Sequence, residues 1–237
     1  MVTIVCYSHT DYTDVLQVQE QFLRMLPCKK VLIINRLPQV PIHFDSVVFY
    51  DDSLKYSKRI AQSFSQLSDE YVLFLHDMDV ITHCSIPQIE RLIEFMKNKS
   101  IDRVDLQYTK CIEEESLPFE NVTLTRSHDF IYNVNPSIWK RDVLLDIMNK
   151  FDKDYRTIEN TETQEYCKRF NIYKLWSPKK ISAGYFHVTD LFVFIHLTHG
   201  GKLLPIRDNN LEPYLNVIYK GIHLSFSFRR EIRRTMH

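Results

Sequence analysis

Two carboxylates two positions apart, Asp77 and Asp79 in His76-Asp77-Met78-Asp79, follow on the apolar run Tyr71 to Leu75. In an extended segment, residues two apart project to the same side. At the end of a strand, both acids can therefore converge on one ion. Hard carboxylate oxygens suit Mg²⁺ or Mn²⁺, ions that commonly keep positions open for phosphate oxygens. A bare Asp-x-Asp also describes a solvated loop, and the apolar strand in front of it favours the metal reading. Lys58 and Arg59 lie near the start of a predicted helix, where backbone N–H groups and cations can hold phosphate; an ordinary solvated basic face explains them equally well. Asp11 and Asp51 or Asp52 could accept from a base N–H or ribose hydroxyls, or could cap the helices that follow them.

The elements that must position these residues alternate between strand and helix in the first third of the chain. Val2 to Tyr7 reads as a strand ending in the polar loop Ser8-His9-Thr10-Asp11. Val15, Val18, Phe22 and Leu26 recur at helical spacing before Pro27. Val31 to Ile34 and Val47 to Tyr50 read as strands, the latter ending at Asp51-Asp52. Tyr56 to Leu67 reads as a helix, Tyr71 to Leu75 as a fourth strand and Ile86 to Met96 as an amphipathic helix. This order predicts an α/β fold with a Rossmann-like, mostly parallel central sheet and helices on both faces. Ligands in such sheets bind beyond the carboxyl ends of the strands, where Ser8 to Asp11, Asp51-Asp52 and Asp77 to Asp79 would gather. Further on, Val104 to Tyr108 is expected as a strand, Glu113 to Pro118 as an acidic loop and Phe130 to Val134 as strand-like. Pro136 to Asn149 is expected as a helix, as is the stretch from Glu159 through Glu162, Tyr166 and Phe170. Ile172 to Trp176 reads as a strand.

Composition narrows the function classes. In 237 residues, Lys+Arg and Asp+Glu both number 30, so there is no basic excess of the kind nucleic-acid binders show, and no nucleic-acid partner is expected. Apolar residues at 44% and charged residues at 25% fit a globular domain able to bury its own core. The five cysteines show no C-x-x-C pair, which argues against a disulfide framework or zinc knuckle and for reduced thiols in the cytoplasm. The N-terminus lacks the basic start and long apolar run of a signal peptide. A basic tail, Phe226 to His237 with Arg229, Arg230, Arg233 and Arg234, could contact an anionic membrane peripherally or pack on the domain. There is no G-x-G-x-x-G, P-loop, G-x-S-x-G elbow or H-E-x-x-H helix.

Several segments, in order, resemble the nucleotide-sugar glycosyltransferases of the GT-A fold. Val2 to Tyr7 resembles the first donor-binding strand. Tyr71 to Asp79 (YVLFLHDMD) resembles the strand entering the metal-binding D-x-D. Phe130 to Trp139 and Arg156 to Glu165 (RTIENTETQE) resemble the acidic sugar-pocket segment, and Ser182 to Val188 (SAGYFHV) the late loop whose histidine completes the metal site. Small viral transferases of the chlorovirus capsid type and bacterial capsule-type transferases are similar in feel. The resemblance implies a single domain over 1–237, with a nucleotide-sugar-binding half (1–110), an acceptor and sugar-pocket half (111–225) and the basic tail (226–237).

It further implies metal-dependent transfer, with Mn²⁺ or Mg²⁺, from a nucleoside-diphosphate sugar, UDP by family default, to a glycan or glycoprotein acceptor. Asp77, Asp79 and His187 would hold the metal, with His196 and His199 as competitors for the histidine. Tyr7, Ser8, Asp11, Asp52, Lys58, Arg59, Asp77 and Asn133 would line the donor site, and Asn135 and His128 could join Asn133 at the sugar. The chain departs from the pattern at Glu159-Asn160. An amide cannot deprotonate an acceptor hydroxyl, so either Glu159 or Glu162 takes the base role in an inverting reaction, the reading favoured, or configuration is retained by another route. The alternatives are a metal-dependent nucleotidyltransferase or phosphodiesterase, or a non-catalytic sugar-binding module.

Overall fold

A computed structural model describes residues 2–108, 115–176, 181–183, 186–189, 191–196, 198–199 and 202–203. Over 181–183 and 186–188 the description is of backbone alone. The parallel core is built from β1 (Thr3–Tyr7), β2 (Lys29–Ile34), β3 (Ser46–Phe49) and β4 (Tyr71–His76), in the spatial order β3-β2-β1-β4. Beyond β4 the sheet continues through β9 (Ser137–Lys140), β6 (Arg103–Tyr108), β10 (Ile172–Trp176), β8 (Val122–Arg126) and β7 (Ser116–Phe119). Only β9 and β8 run against the other seven, so the nine-stranded sheet is mixed but mostly parallel, as expected.

Alternate side chains along each central strand feed different layers, which is why these strands read as continuous apolar runs. Ile4 and Cys6 of β1, Leu32 and Ile34 of β2, and Leu73 and Leu75 of β4 face one core with α1 (Thr13–Leu23) and α3 (Ile86–Asn98). Val5, Val31, Ile33, Val72 and Phe74 face the other, against α2 (Tyr56–Phe64) and α4 (Arg141–Lys150). Helices therefore cover both faces. Pro87 stands in the first turn of α3, where its missing N–H costs nothing.

A second, antiparallel sheet has the order β11-β12-β13-β5: β11 (Ile181–Ala183), β12 (Phe186–Val188), β13 (Phe192–His196) and β5 (Asp79–Cys84). β4 and β5 are separated only by Asp77-Met78, so the chain leaves the large sheet and enters the small one at the acidic motif. Gln19 of α1, fully buried, fixes this corner. Its amide donates to the Asp79 carbonyl at 2.8 Å and accepts from the Ile81 N–H at 3.3 Å.

Four expectations change. Phe130 to Val134 is irregular loop rather than strand, because the Ile131 and Asn133 carbonyls accept from the buried Arg103 guanidinium instead of a ladder partner. Pro136 to Asn149 is not one helix: Ser137 to Lys140 forms β9 between β4 and β6, and α4 starts at Arg141. Ser116 to Pro118 belongs to β7 and pairs with β8, while Glu113 and Glu114 lie outside the described residues. Asp79 to Cys84, not expected as a strand, is β5. The basic tail also lies outside the described residues. Among those described, no helix is long and apolar enough to cross a membrane.

Leu92 of α3 is fully buried, whereas Met25, just past α1, is 70% exposed. Leu92→Ala should lower unfolding free energy by about 2–5 kcal/mol through lost transfer energy and a cavity. Met25→Ala should stay within about 0.5 kcal/mol. Urea denaturation of both variants checks this assignment of the core.

Candidate active site

The acidic corner is buried. Asp77 is 6% exposed and Asp79 is 1% exposed. Asp77 is anchored to the end of β1: its N–H donates to the Tyr7 carbonyl at 3.0 Å, and Ser8 Oγ donates to its Oδ2 at 2.8 Å. Asp79 opens β5, directly opposite His196 in the β5–β13 register. His196 Nδ1 lies 2.5 Å from Asp79 Oδ1, and His76 Nδ1 lies 3.8 Å from Asp79 Oδ2. Burial works against charge on His196, but the Asp79 carboxylate outweighs it and raises the imidazole pKa above its usual value. His76 goes the other way. Burial dominates, and its pKa falls to about 4 despite Asp79.

The corner fits a hard cation on one count. Asp79 Oδ1 and His76 Nδ1 are buried without a hydrogen-bond partner among the described residues, and buried polar atoms are rarely left so. Asp79 Oδ1 nonetheless has His196 Nδ1 2.5 Å away as an ion-pair partner. Among the described residues, no three His, Cys, Asp or Glu side chains gather to hold an ion. His187, placed in β12, is opposite Phe194, which is itself opposite Ile81. Its backbone is thus two strands from β5, whereas that of His196 is adjacent to Asp79. His199 is described by backbone alone.

Aromatic rings floor the corner. His76 Nε2 lies 2.9 Å from the Tyr56 hydroxyl, and Tyr7 stacks on Tyr50 at 5.2 Å. Tyr155 packs edge-on against His76 at 5.5 Å, and its hydroxyl reaches Met78 Sδ at 4.0 Å. Its pKa is driven well up, first by burial and then by Asp79, Glu159 and Asp77. Tyr155 therefore stands within electrostatic reach of both the Asp-x-Asp pair and Glu159. Sequence reasoning missed it, because a lone tyrosine in the polar stretch before Glu159 carries no spacing signal.

At the ends of β1 to β3 lies a polar cluster. His9 Nε2 is 3.1 Å from Asp52 Oδ2, and Asn35 donates to the same oxygen at 3.3 Å. His9 Nδ1 accepts from the Asp11 N–H. Arg59 joins from α2, pairing with Asp52 at 3.1 Å and lying over the Tyr50 ring at 5.1 Å. Its neighbour Lys58 turns away and donates to the Asn149 carbonyl near the end of α4.

On the opposite side, Asn160 is the N-cap of α5 (Thr161–Cys167), its side chain accepting from the Thr163 N–H at 3.0 Å. Glu159 Oε1 accepts from the Val134 N–H at 2.7 Å. Glu162 points into solvent and pairs with Lys153 at 3.0 Å. Asn133 is buried and fully engaged: its amide donates to Asp105, and its carbonyl oxygen accepts from Arg103. His128 is exposed and pairs with Glu115. The buried Arg103 fork also bonds Ser137 and the Ile131 carbonyl, and lies 4.5 Å over the Trp139 ring. It thereby pins the loop carrying Val134.

No protein-family model and no curated protein matches this chain. Solved structures resemble it in fold. HddC from Yersinia pseudotuberculosis aligns with a TM-score of 0.52 and 10% identity, over 93% of this chain and 99% of that one. The 1–349 fragment of TarS from S. aureus gives 0.47 and 12%, over 82% and 60%. A UDP-glucose pyrophosphorylase complexed with UDP-glucose gives 0.47 and 11%, over 74% and 90%. The chain spans 60% of the TarS fragment and 50% of the bifunctional IspDF of Campylobacter jejuni. At such identities, the likeness to HddC is one of fold.

Arg103 is fully buried with Asp105 as its charged neighbour at 3.7 Å. Arg103→Leu should cost about 3–5 kcal/mol, because Asp105 is left buried without its cation. Chemical denaturation measures the loss. A cost under about 1 kcal/mol would show that the guanidinium network does not hold the loop.

Proposed function

We propose that the chain is a metal-dependent glycosyltransferase of GT-A type. It would move a sugar from a nucleoside-diphosphate sugar, with UDP the default nucleotide, to a saccharide-bearing acceptor. The observation that carries the reading is the buried, hydrogen-bond-poor Asp79 carboxylate facing His196 at the carboxyl end of β4. Its location is where open α/β sheets bind ligands. The fold shared with HddC is compatible with it.

Asp79 and His196, with Asp77 beside them, would hold Mn²⁺ or Mg²⁺. Two or three protein ligands suffice where phosphate oxygens and water complete the shell. When bound, the ion would neutralise charge on the departing diphosphate. The chain's own residues divide the remaining work. Ser8 holds Asp77 in place, and Gln19 fixes the Asp79 backbone. Arg59, Asp52, Asp11 and His9 offer a cation, carboxylates and an imidazole for the nucleoside end, beside the stacked rings of Tyr7 and Tyr50. Lys58 is better explained as a cap on α4.

Glu159 is the better candidate for the general base. It lies beside Val134 and shares electrostatic reach of Tyr155 with Asp77 and Asp79, whereas Glu162 is exposed and committed to Lys153. Asn160, as an N-cap, has a structural task that an acidic base would not share. An inverting displacement follows, with Glu159 receiving the acceptor proton.

Thermal-shift titration with UDP-sugars tests the proposal. Wild-type protein should be stabilised by a donor only with Mn²⁺ present, and Asp79→Asn should abolish that shift while remaining folded. Product analysis should find nucleoside diphosphate; release of pyrophosphate would instead indicate nucleotidyl transfer. Glu159→Gln should lower the transfer rate about 10²–10⁴-fold, while Glu162→Gln should change it only a few-fold. The reverse order would move the base to Glu162.

A further inference from the structure

Phe130 carries two features that the donor site does not use. The residue is 66% exposed, and its backbone φ is 48°. A single exposed aromatic is ordinary on a protein surface. A left-handed backbone at a bulky residue is not, because Cβ crowds the following carbonyl. Such strain persists where the surroundings impose it, and it concentrates at binding sites. The other non-glycine residues with positive φ have local explanations. Ser100 ends the turn after α3, and Glu120 lies in the tight turn between β7 and β8. Phe130 belongs to neither kind of turn.

The backbone on both sides of Phe130 is held from within. The Asp129 carbonyl accepts from Lys174 Nζ at 2.9 Å and from Ser127 Oγ at 3.2 Å. The Phe130 carbonyl accepts from Asn133 Nδ2 at 3.4 Å, and Asn133 is itself locked by Arg103 and Asp105. The buried network thus fixes a strained backbone whose side chain is left in solvent. Val134, whose N–H binds Glu159, lies four positions after Phe130. Extended chain covers at most about 14 Å in that distance.

We propose that Phe130 is a platform for a saccharide acceptor, its ring stacking on the apolar C–H face of a sugar within chain reach of the backbone that binds Glu159. The proposal rests on the glycosyltransferase reading and names the acceptor chemistry for that same site. An aromatic face is electron-rich and suits C–H groups. A ring with two rotatable bonds on a fixed backbone loses little entropy when it is covered. A glycine or asparagine would satisfy the backbone more easily, so the aromatic ring needs a reason of this kind.

The test compares wild-type protein, Phe130→Asn and Phe130→Trp. Asparagine tolerates the left-handed backbone and removes the ring, and tryptophan keeps an aromatic face. Each full chain is fluorescently labelled and read against a printed array of neutral and acidic oligosaccharides, with and without UDP. Wild-type and Trp proteins should retain at least one saccharide, and the Asn variant should bind it at least tenfold more weakly. The Asn variant's Tm should be unchanged or higher, by about 2–4 °C. Equal retention by the Asn variant, no saccharide retained by wild type, or a lowered Tm in the Asn variant would each overturn the platform. A Phe130→Asn protein that transfers sugar with a wild-type acceptor KM would overturn the platform and leave the transferase reading standing. Absence of metal-dependent donor stabilisation would overturn the transferase reading without bearing on the array.

Discussion

The pairing of β5 with β13 is the constraint on which the site depends. Asp79 ends the path out of the parallel sheet and begins the antiparallel one, and the register puts His196 opposite it. A shift by one residue would send every side chain of β13 to the other face, taking His196 away from the carboxylate. Val80 and Ile81 on β5 and Phe192 to Ile195 on β13 are all buried, so both faces of this strand pair are packed. Packing energy is thereby converted into the placement of two polar groups that would not be buried together on their own account.

Arg103 does the same work for the loop after β8. Its five donors are a fixed fork, and here the fork bonds one serine, one asparagine and the backbone of the loop after β8. That loop also presents the Val134 N–H to Glu159, while Gln164 of α5 exchanges two hydrogen bonds with Tyr132. The loop is therefore clamped between sheet and helix. The clamp explains how one short segment can carry a strained exposed phenylalanine and also present the Val134 N–H to Glu159.

The first half of the fold was legible because its strands and helices have clean periods. Val31 to Ile34 is apolar on both faces, and Ile60 and Phe64 share one helical side. The second half was less so for specific reasons. Ser137 to Lys140 is a four-residue strand abutting a helical repeat, and the helix pattern masked it. Phe130 to Val134 has strand-like composition, but Arg103 claims the carbonyls a ladder would need, and nothing in the local sequence signals a guanidinium arriving from 28 residues away. Asp79 to Cys84 looked like the loop after an acidic motif, since its polar residues blur the alternation. In the candidate site, the meeting of Ser8, Asp77 and Asp79 followed from strand order. That His196 rather than His187 stands opposite Asp79 could not, because it depends on an antiparallel register, as the engagement of Asn133 depends on a buried partner.

The central claim is that Asp79 and His196 together bind a divalent cation that a nucleoside diphosphate then shares. Electron paramagnetic resonance titration of Mn²⁺ in the presence of UDP addresses it directly, because free and bound ion are read separately and no turnover is needed. Wild-type protein should bind one Mn²⁺ per chain more tightly with UDP than without, and His196→Gln should weaken that binding by tenfold or more. Mn²⁺ binding that is absent with UDP, or equally strong in the His196→Gln protein, would contradict the account.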